Sequence, residues 1–479
     1  MNYILEIISI FLILQVYNQT GFAQLQFEDS GQKLGNEKDQ YIKLADIDND
    51  GDLDAIEAGD SIKVRLNDSA GHFTLSQNIQ GHNMDLADLD GDSDLDMFIT
   101  FNGPTNTNHN QVWINDGAGF FKNSNQELGI RDSRGIALDD LDNDGDIDAF
   151  VANHMNVYTE LEGGNQVFFN DGNGIFTNSG QELGNDWSNN VALGDIDNDG
   201  DLDAVVANNP FKYRIGHEIW LNNNSGYYSI GNQHFDTILS NKILLGDVDN
   251  DNDLDIFIIH ADFENDLYDN NKLLLNNGNG IFTDSEQIYS KTKSRGGCFG
   301  DVDNDGDLDI FVVQFNDEPD KIWLNNGEGL LIDSCLNLNI TGSADAALGD
   351  LDNDGDLDAY IACDGANKVY FNTTNTQINV NPKNSIPCEY NLHQNYPNPF
   401  NPSTRIQYTL GKSSPVNLSV YNTLGQKIKT LVNSYQNVGE HSIVWDGIDQ
   451  NNNPVCSGIY FYCLKTNNQI LQNKMLLVR

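Results

Sequence analysis

A single nine-residue string constrains this chain more than anything else in it. Asp46-Ile-Asp-Asn-Asp-Gly-Asp-Leu-Asp54 recurs with its first Asp at 46, 88, 140, 195, 247, 301 and 350. A supersecondary unit of about 50 residues is therefore repeated in tandem, the pattern of solenoids and propellers. Asp occupies positions 1, 3, 5, 7 and 9 of every copy: Asp46, Asp48, Asp50, Asp52 and Asp54; Asp88, Asp90, Asp92, Asp94 and Asp96; Asp140, Asp142, Asp144, Asp146 and Asp148; Asp195, Asp197, Asp199, Asp201 and Asp203; Asp247, Asp249, Asp251, Asp253 and Asp255; Asp301, Asp303, Asp305, Asp307 and Asp309; Asp350, Asp352, Asp354, Asp356 and Asp358. With five in each of seven loops, these make 35 of the 72 acidic residues, so the net charge of -47 has a local cause.

Five carboxylates within nine residues repel one another unless a cation sits among them, and oxygen-only ligands suit a hard ion. Calcium is the expected cofactor, up to seven ions. Alternate residues 1, 3 and 5 point into one cavity as the loop curls, and Gly at 6 permits the reversal. Ser93 and Asn252 replace that Gly in the second and fifth copies, and Ser tolerates a left-handed backbone less well than Asn. An EF-hand is excluded. Its twelfth position needs a bidentate Glu, and only the first copy has one, Glu57, against Ile99, Val151, Val206, Ile258, Val312 and Ile361 elsewhere.

The flanks of the loops read as strands. Asp203-Ala-Val-Val-Ala207 and Asp309-Ile-Phe-Val-Val313 are short, apolar and rich in branched residues, without a helical period. A third strand ends on Asn in each repeat, as in Ile219-Trp-Leu-Asn222, and a turn such as Asn277-Gly-Asn-Gly280 leads to a fourth that begins with Phe, as in Phe176-Thr-Asn-Ser-Gly-Gln-Glu-Leu-Gly184. Four short strands repeated seven times predict a β-propeller. The seventh repeat stops at Asn372 without its fourth strand, while Phe27-Glu-Asp-Ser-Gly-Gln-Lys-Leu-Gly35 matches that strand at 121–129 and 176–184. The amino-terminal segment is expected to complete the last blade and remove the open edge.

These residues resemble the FG-GAP or VCBS repeats, whose relatives include the seven-bladed head of integrin α chains, over about residues 25–375. The resemblance implies a calcium ion between the first two strands of each blade. Its ligands would be Asp46, Asp48, Asp50 and Asp54 with the carbonyl of Asp52, and the same places in the other six copies. It implies no ligand, because one fold hosts many functions.

Charge divides the chain. Residues 1–387 hold 18 basic and 68 acidic side chains, whereas 388–479 hold 7 and 4. So acidic a repeat region speaks against a nucleic-acid backbone or an anionic membrane as partner. The polar stretch 376–390 is expected to be a linker. Residues 1–23, with an apolar run from Ile7 to Val16 and Gly21-Phe22-Ala23, read as a cleaved secretory signal. No later run has the length of a membrane helix. In the tail, Asn395-Tyr-Pro-Asn-Pro-Phe-Asn-Pro-Ser-Thr404 precedes short alternating segments, which predict a small Ig-like β-sandwich over 391–479. Its wording resembles the C-terminal sorting domain of type IX secretion, implying a partner in that machinery and a secreted or outer-surface location.

The loops between second and third strands should form a rim opposite the acidic loops, long in blades 2 to 5. Arg131, Arg134, His154, Tyr158, Phe211, Arg214, His260 and Arg295 belong to this rim or to neighbouring crossovers. Cations beside aromatics suit a glycan or a protein loop. No nucleophile elbow, zinc-protease motif or phosphate loop is present. The expectation is a non-enzymatic binding protein. A polysaccharide lyase or hydrolase on the same ring, with His154 and Arg131 or Arg134 at its centre, and a structural spacer are the alternatives. The six cysteines have no framework spacing, so disulfides and buried free thiols are both open to them.

Overall fold

The computed structural model describes residues 25–374 and 391–478, apart from 36–37, 103–108, 155–163, 185–186, 210–215, 236–239, 261–270, 288, 290–293, 316–317, 339, 411–413, 423–425, 437–438, 451–452 and 467–469. The predicted signal and linker, and with them Tyr158, Phe211 and Arg214, lie outside the described residues. The chain divides into two compact units near residue 382, with the short segment Ile332–Cys335 grouped with the second. Among the described residues there is no helix, and hence none long and apolar enough to cross a membrane.

The first unit contains seven four-stranded antiparallel sheets. Six of them are meanders of four consecutive strands, as in Asp132–Asp139, Asp148–His154, Gln166–Phe169 and Thr177–Asn178. The second strands Asp54–Gly59, Asp255–His260, Asp309–Gln314 and Asp358–Cys363 are buried at every residue. Both faces of each sheet are covered, which is why Ile256-Phe-Ile-Ile259 and Ile310-Phe-Val-Val313 are apolar without alternation.

What covers them is the neighbouring sheet. Phe98 and Val112 of the second sheet share one apolar cluster with Ile136, Val151 and Phe168 of the third. Phe150 and Val167 of the third pack with Val191 and Val206 of the fourth. The succession continues to Phe311 and Ile322 of the sixth with Ala346 and Ile361 of the seventh. Tyr360 and Val369 of the seventh then pack with Ile42 and Ala55 of the first. The circuit closes on itself.

Closure is also made in the hydrogen-bond ladder. Phe27–Asp29 pairs antiparallel with Lys368–Asn372, Phe27 opposite Asn372, so the amino-terminal segment is the outer strand of the last sheet. At this seam Lys63 Nζ lies 2.6 Å from Asp39 Oδ1, and Asn367 donates to the other Asp39 oxygen at 2.9 Å. Arg65 Nε donates to Glu57 at 2.7 Å. Glu57, the acid that matched the EF-hand pattern, is thus a buried structural partner and turns away from that chemistry.

Six of the inner strands carry a bulge near their start. The register skips one residue between Asp39 and Tyr41, Ser133 and Gly135, Ser188 and Asn190, Ser240 and Lys242, Ser294 and Gly296, and Ser343 and Asp345. A bulge leaves one residue without a cross-strand partner and re-aims its side chain. No sequence period marks these bulges.

The second unit has a three-stranded sheet of Asn391–Leu392, Thr404–Leu410 and Gly439–Trp445, and a four-stranded one of Lys427–Gln436, Ser414–Asn422, Gly458–Lys465 and Ile470–Leu477. One core unites them, with Trp445, Tyr408, Tyr462, Leu418 and Met475 fully buried. Lys427–Gln436 was not anticipated. Its apolar residues Ile428, Leu431 and Val432 break the period of two because the pairing with Ser414–Asn422 shifts register twice.

Candidate metal loops

Every acidic string lies between the inner and second strands, and its backbone is folded by its own carboxylates. In the first loop the N–H groups of Asp50 and Gly51 donate to the two oxygens of Asp46, at 3.2 and 3.1 Å. The N–H of Asp52 donates to Asp50 at 3.2 Å. Position 9 is used twice: Asp54 accepts from Ile47 N–H at 3.1 Å and from Asn67 N–H at 2.8 Å. The same bonds recur in the loops at Asp140, Asp195, Asp247, Asp301 and Asp350.

Two residues per loop sit in the left-handed region. Position 6 is Gly in five copies, and Ser93 (φ 75°) and Asn252 (φ 69°) adopt the same turn in the other two. Position 4 is the second reversal, with Asn49, Asn143, Asn198, Asn250, Asn304 and Asn353 at φ between 56° and 60° and Gly91 in the second copy. Asn is the side chain that best tolerates this conformation.

The position-4 Asn has a further use. Asn49 donates to Asp94, Asn198 to Asp253 and Asn250 to Asp307, each at 2.8 Å, and Asn304 to Asp356 at 2.6 Å. In each case the acceptor is position 7 of the next loop. The Asn closing each third strand makes a second link: Asn222 donates to Leu202 O in its own loop and to Leu141 O in the preceding one, at 3.1 and 2.8 Å. The loops are thereby tied into a continuous belt. The turns between third and fourth strands lie on the same side, since a Cβ on Gly172 would meet Asp146 Oδ1 at 2.5 Å and one on Gly278 would meet Asp253 Oδ2 at 2.6 Å.

Position 3 is the exception to this economy. Asp48, Asp90, Asp142, Asp197, Asp249, Asp303 and Asp352 each have a buried Oδ1 that accepts no hydrogen bond. One orphaned carboxylate oxygen is costly, and seven at one repeat position are not an accident of packing. The oxygens of Asp46, Asp48 and Asp50 lie within 4.8 Å of one another, as do those of Asp88, Asp90 and Asp96, of Asp140, Asp142 and Asp148, of Asp195, Asp197 and Asp199, and of Asp247, Asp249 and Asp251. A set of hard oxygens with one unsatisfied member is the donor chemistry a divalent cation of the calcium type takes.

The electrostatics agree. Burial pushes the position-9 carboxyls up, to about 7 for Asp54, Asp96, Asp148 and Asp203 and to about 9 for Asp309. Asp303 is raised to about 7 by burial and then by the charges of Asp305 and Asp301. Without a cation, these sites favour protons over full ionisation.

The residues expected on the rim are placed differently from one another. Arg131 is engaged by both oxygens of Glu182, at 2.8 and 2.9 Å. His154 stacks on Trp187 with centroids 4.7 Å apart and has Nδ1 3.6 Å from Asp132. His260 is 1% exposed, inside the body at the end of its strand, with its ring stacked beside His217. It is therefore not a surface contact. Arg134 and Arg295 are brought together, on the wall of one cavity on the axis of the ring. Sequence reasoning missed that cavity because bulges, which have no sequence period, create it. Of the cysteines, Cys335 is disulfide-bonded, and Cys298, Cys363, Cys456 and Cys463 are free thiols.

Comparison with known proteins adds to this picture. The FG-GAP-like repeat model matches residues 88–151, 140–206, 247–312 and 301–361, each stretch joining two successive acidic loops. The FlgD Ig-like domain model matches residues 401–469. No curated protein matches the chain. Among solved structures, the chain is similar to BBS1N in a complex with ARL6DN, at 9% identity and a TM-score of 0.49, over 72% of this chain and 96% of that one. It is similar to PorZ, described as a surface component of the type-IX secretion system of Porphyromonas gingivalis, at 14% identity and 0.44, over 94% and 60%. Saccharomyces cerevisiae Sqt1 gives 10% and 0.44, over 72% and 99%. Likeness this low says nothing about what the present chain binds. The chain thus carries FG-GAP-like repeats on a β-propeller, followed by an Ig-like domain.

Proposed function

We propose that the protein is an exported, calcium-loaded, seven-bladed β-propeller that recognises a glycan or protein through the face opposite its acidic loops, without catalysis of its own. The observation that carries this reading is the buried, unpartnered Oδ1 of Asp48 and its six counterparts. Positions 1, 3 and 5, with position 9 behind them, would hold the ion, and the ion would offset the mutual repulsion of the loop carboxylates. The tail fits the role of a type IX sorting domain, which would carry the chain to the outer surface. There calcium is available to fold loops that resist closure without it. A surface propeller tied by a metal belt is a rigid platform, and rigidity favours recognition.

The test is calorimetry of the full chain in chelator and in millimolar calcium. A ligand at a hundredfold excess over its Kd adds about 2.7 kcal/mol per site. Several filled loops therefore raise the propeller transition by roughly 10 °C or more and leave that of the tail in place. Equal melting of the propeller in both buffers would overturn the proposal.

A further inference from the structure

The six residues released by the bulges of the inner strands are Gln40, Arg134, Asn189, Asn241, Arg295 and Ala344. All six line one cavity of about 330 Å³, together with Tyr41, Lys242, Gly296 and Asp345. The inner strands run from this cavity to the acidic loops, so it lies at the opposite end of the axis. Five of the bulges follow a Ser, of which Ser133 and Ser188 donate to Asn153 and Asn208, at 2.8 and 2.9 Å. The frame is nearly the same from sheet to sheet. What it presents inward changes from amide to guanidinium to methyl.

Charge in the cavity is opposite to that of the molecule. Arg134, Lys242 and Arg295 face a single acid, Asp345, in a chain of net charge -47. Lys242 is already held by Asp345, at 2.7 and 2.9 Å. Arg295 gives one nitrogen to Asp364 at 2.9 Å and lies over Phe315, which fixes its plane. Arg134 is 3.6 Å from Asp132, beyond hydrogen-bond reach, and its Nε is buried without an acceptor. Two guanidinium forks with N–H groups to spare, presented around one axis, suit a planar carboxylate. The amides of Gln40, Asn189 and Asn241 offer donors and acceptors together, as vicinal hydroxyls require, and Tyr41 offers a ring face.

We infer that the axial cavity binds a carboxylated sugar, with Arg134 and Arg295 on the carboxylate and the bulge amides on the hydroxyls. This rests on the reading of that face as the recognition face and gives its ligand a chemical class. The volume is at the small end of ligand cavities, so the contact is with one or two rings of a chain.

The experiment is isothermal titration of the calcium-loaded full chain with di- and trigalacturonate, the neutral galactose oligomers and a short peptide with a free C-terminal carboxylate. The acidic sugars bind, and more weakly as salt rises; the neutral ones do not. Arg134→Gln weakens binding on the order of tenfold to a hundredfold, as loss of a charged hydrogen bond does. Asn241→Asp, which adds a negative charge to the wall, weakens it as well, and both variants keep the calcium-dependent melt. Equal binding of neutral sugars, binding indifferent to both substitutions, or binding of the peptide alone would each overturn the inference. A calcium-stabilised protein that ignores acidic sugars sinks this inference and spares the calcium reading. Acidic-sugar binding by a protein indifferent to calcium does the reverse.

Discussion

The two units solve the same problem, an all-β fold with no helix to cover it, by opposite means. The Ig-like unit gathers its two sheets around one core in which Trp445, Tyr408, Tyr462 and Met475 are fully buried, and its side of the charge division holds 7 basic and 4 acidic residues. The propeller distributes its apolar contacts over seven clusters, one at each sheet-to-sheet boundary. It then loads one end with 35 carboxylates. A single dense core is self-sufficient and fails all at once. A ring of small cores spreads the risk but depends on the joints, and here the joints are acidic loops.

The largest expected effect that separates the two strategies is Trp445→Ala. Trp445 packs against Phe400 and Tyr460, with centroids 5.6 and 5.3 Å away, and donates from Nε1 to Ile448 O at 3.0 Å. Its truncation costs about 3–5 kcal/mol. The tail transition collapses in a thermal melt, while calcium uptake by the propeller, followed by titration, stays as in the parent. Loss of calcium uptake together with the tail would erase the contrast.

A smaller effect tests a joint that uses no metal. Asp320 is 1% exposed, accepts from Gln314 N–H and Ser343 Oγ at 2.7 and 2.8 Å, and is raised by burial to about 7. Other sheets use Asn there: Asn165, Asn271 and Asn367 accept from Asn153, His260 and Cys363 N–H. A carboxyl raised on folding binds protons more strongly in the native state, so its contribution is complete below pH ~4 and fades as pH climbs to about 7. Asp320→Asn removes that loss. The variant should match the parent near pH 4 and exceed it by on the order of 1–3 kcal/mol at pH 8, in urea melts with calcium held constant. A difference independent of pH would show that Asp320 is ionised in the fold.

The smallest effect concerns the loop with the poorest backbone. Ser93 occupies the left-handed position that is Gly in five copies, while keeping its N–H bond to Asp88 at 2.9 Å. Ser93→Gly relieves roughly 1 kcal/mol of steric strain and should tighten calcium at the second loop by several-fold. An unchanged weakest site in a calcium titration would mean that backbone strain does not limit that loop.

Much of the fold was legible because its determinants are local and repeated. The acidic string names its own turn, the apolar run after it names a strand buried on both faces, and Phe27-Glu-Asp names its partner by likeness to 121–129. The unforeseen strand Lys427–Gln436 lacks such a signature, since its register shifts scramble the alternation.

In the loops, the sequence by itself determined which atoms would be crowded together, because spacing of two along a curling backbone leaves five carboxylates no other arrangement. Only the tertiary structure decided which of them would be left without a donor. Positions 1, 5 and 9 are satisfied by backbone N–H groups of the loop and of the third strand, and position 3 keeps a buried Oδ1 without a donor in all seven copies, as position 7 does at Asp52. The same holds for the belt from Asn49 to Asp94 and for the axial cavity, whose residues come from inner strands far apart in sequence. Contacts between neighbouring sheets and the placing of bulges depend on how separate repeats meet, and no nine-residue pattern encodes that meeting.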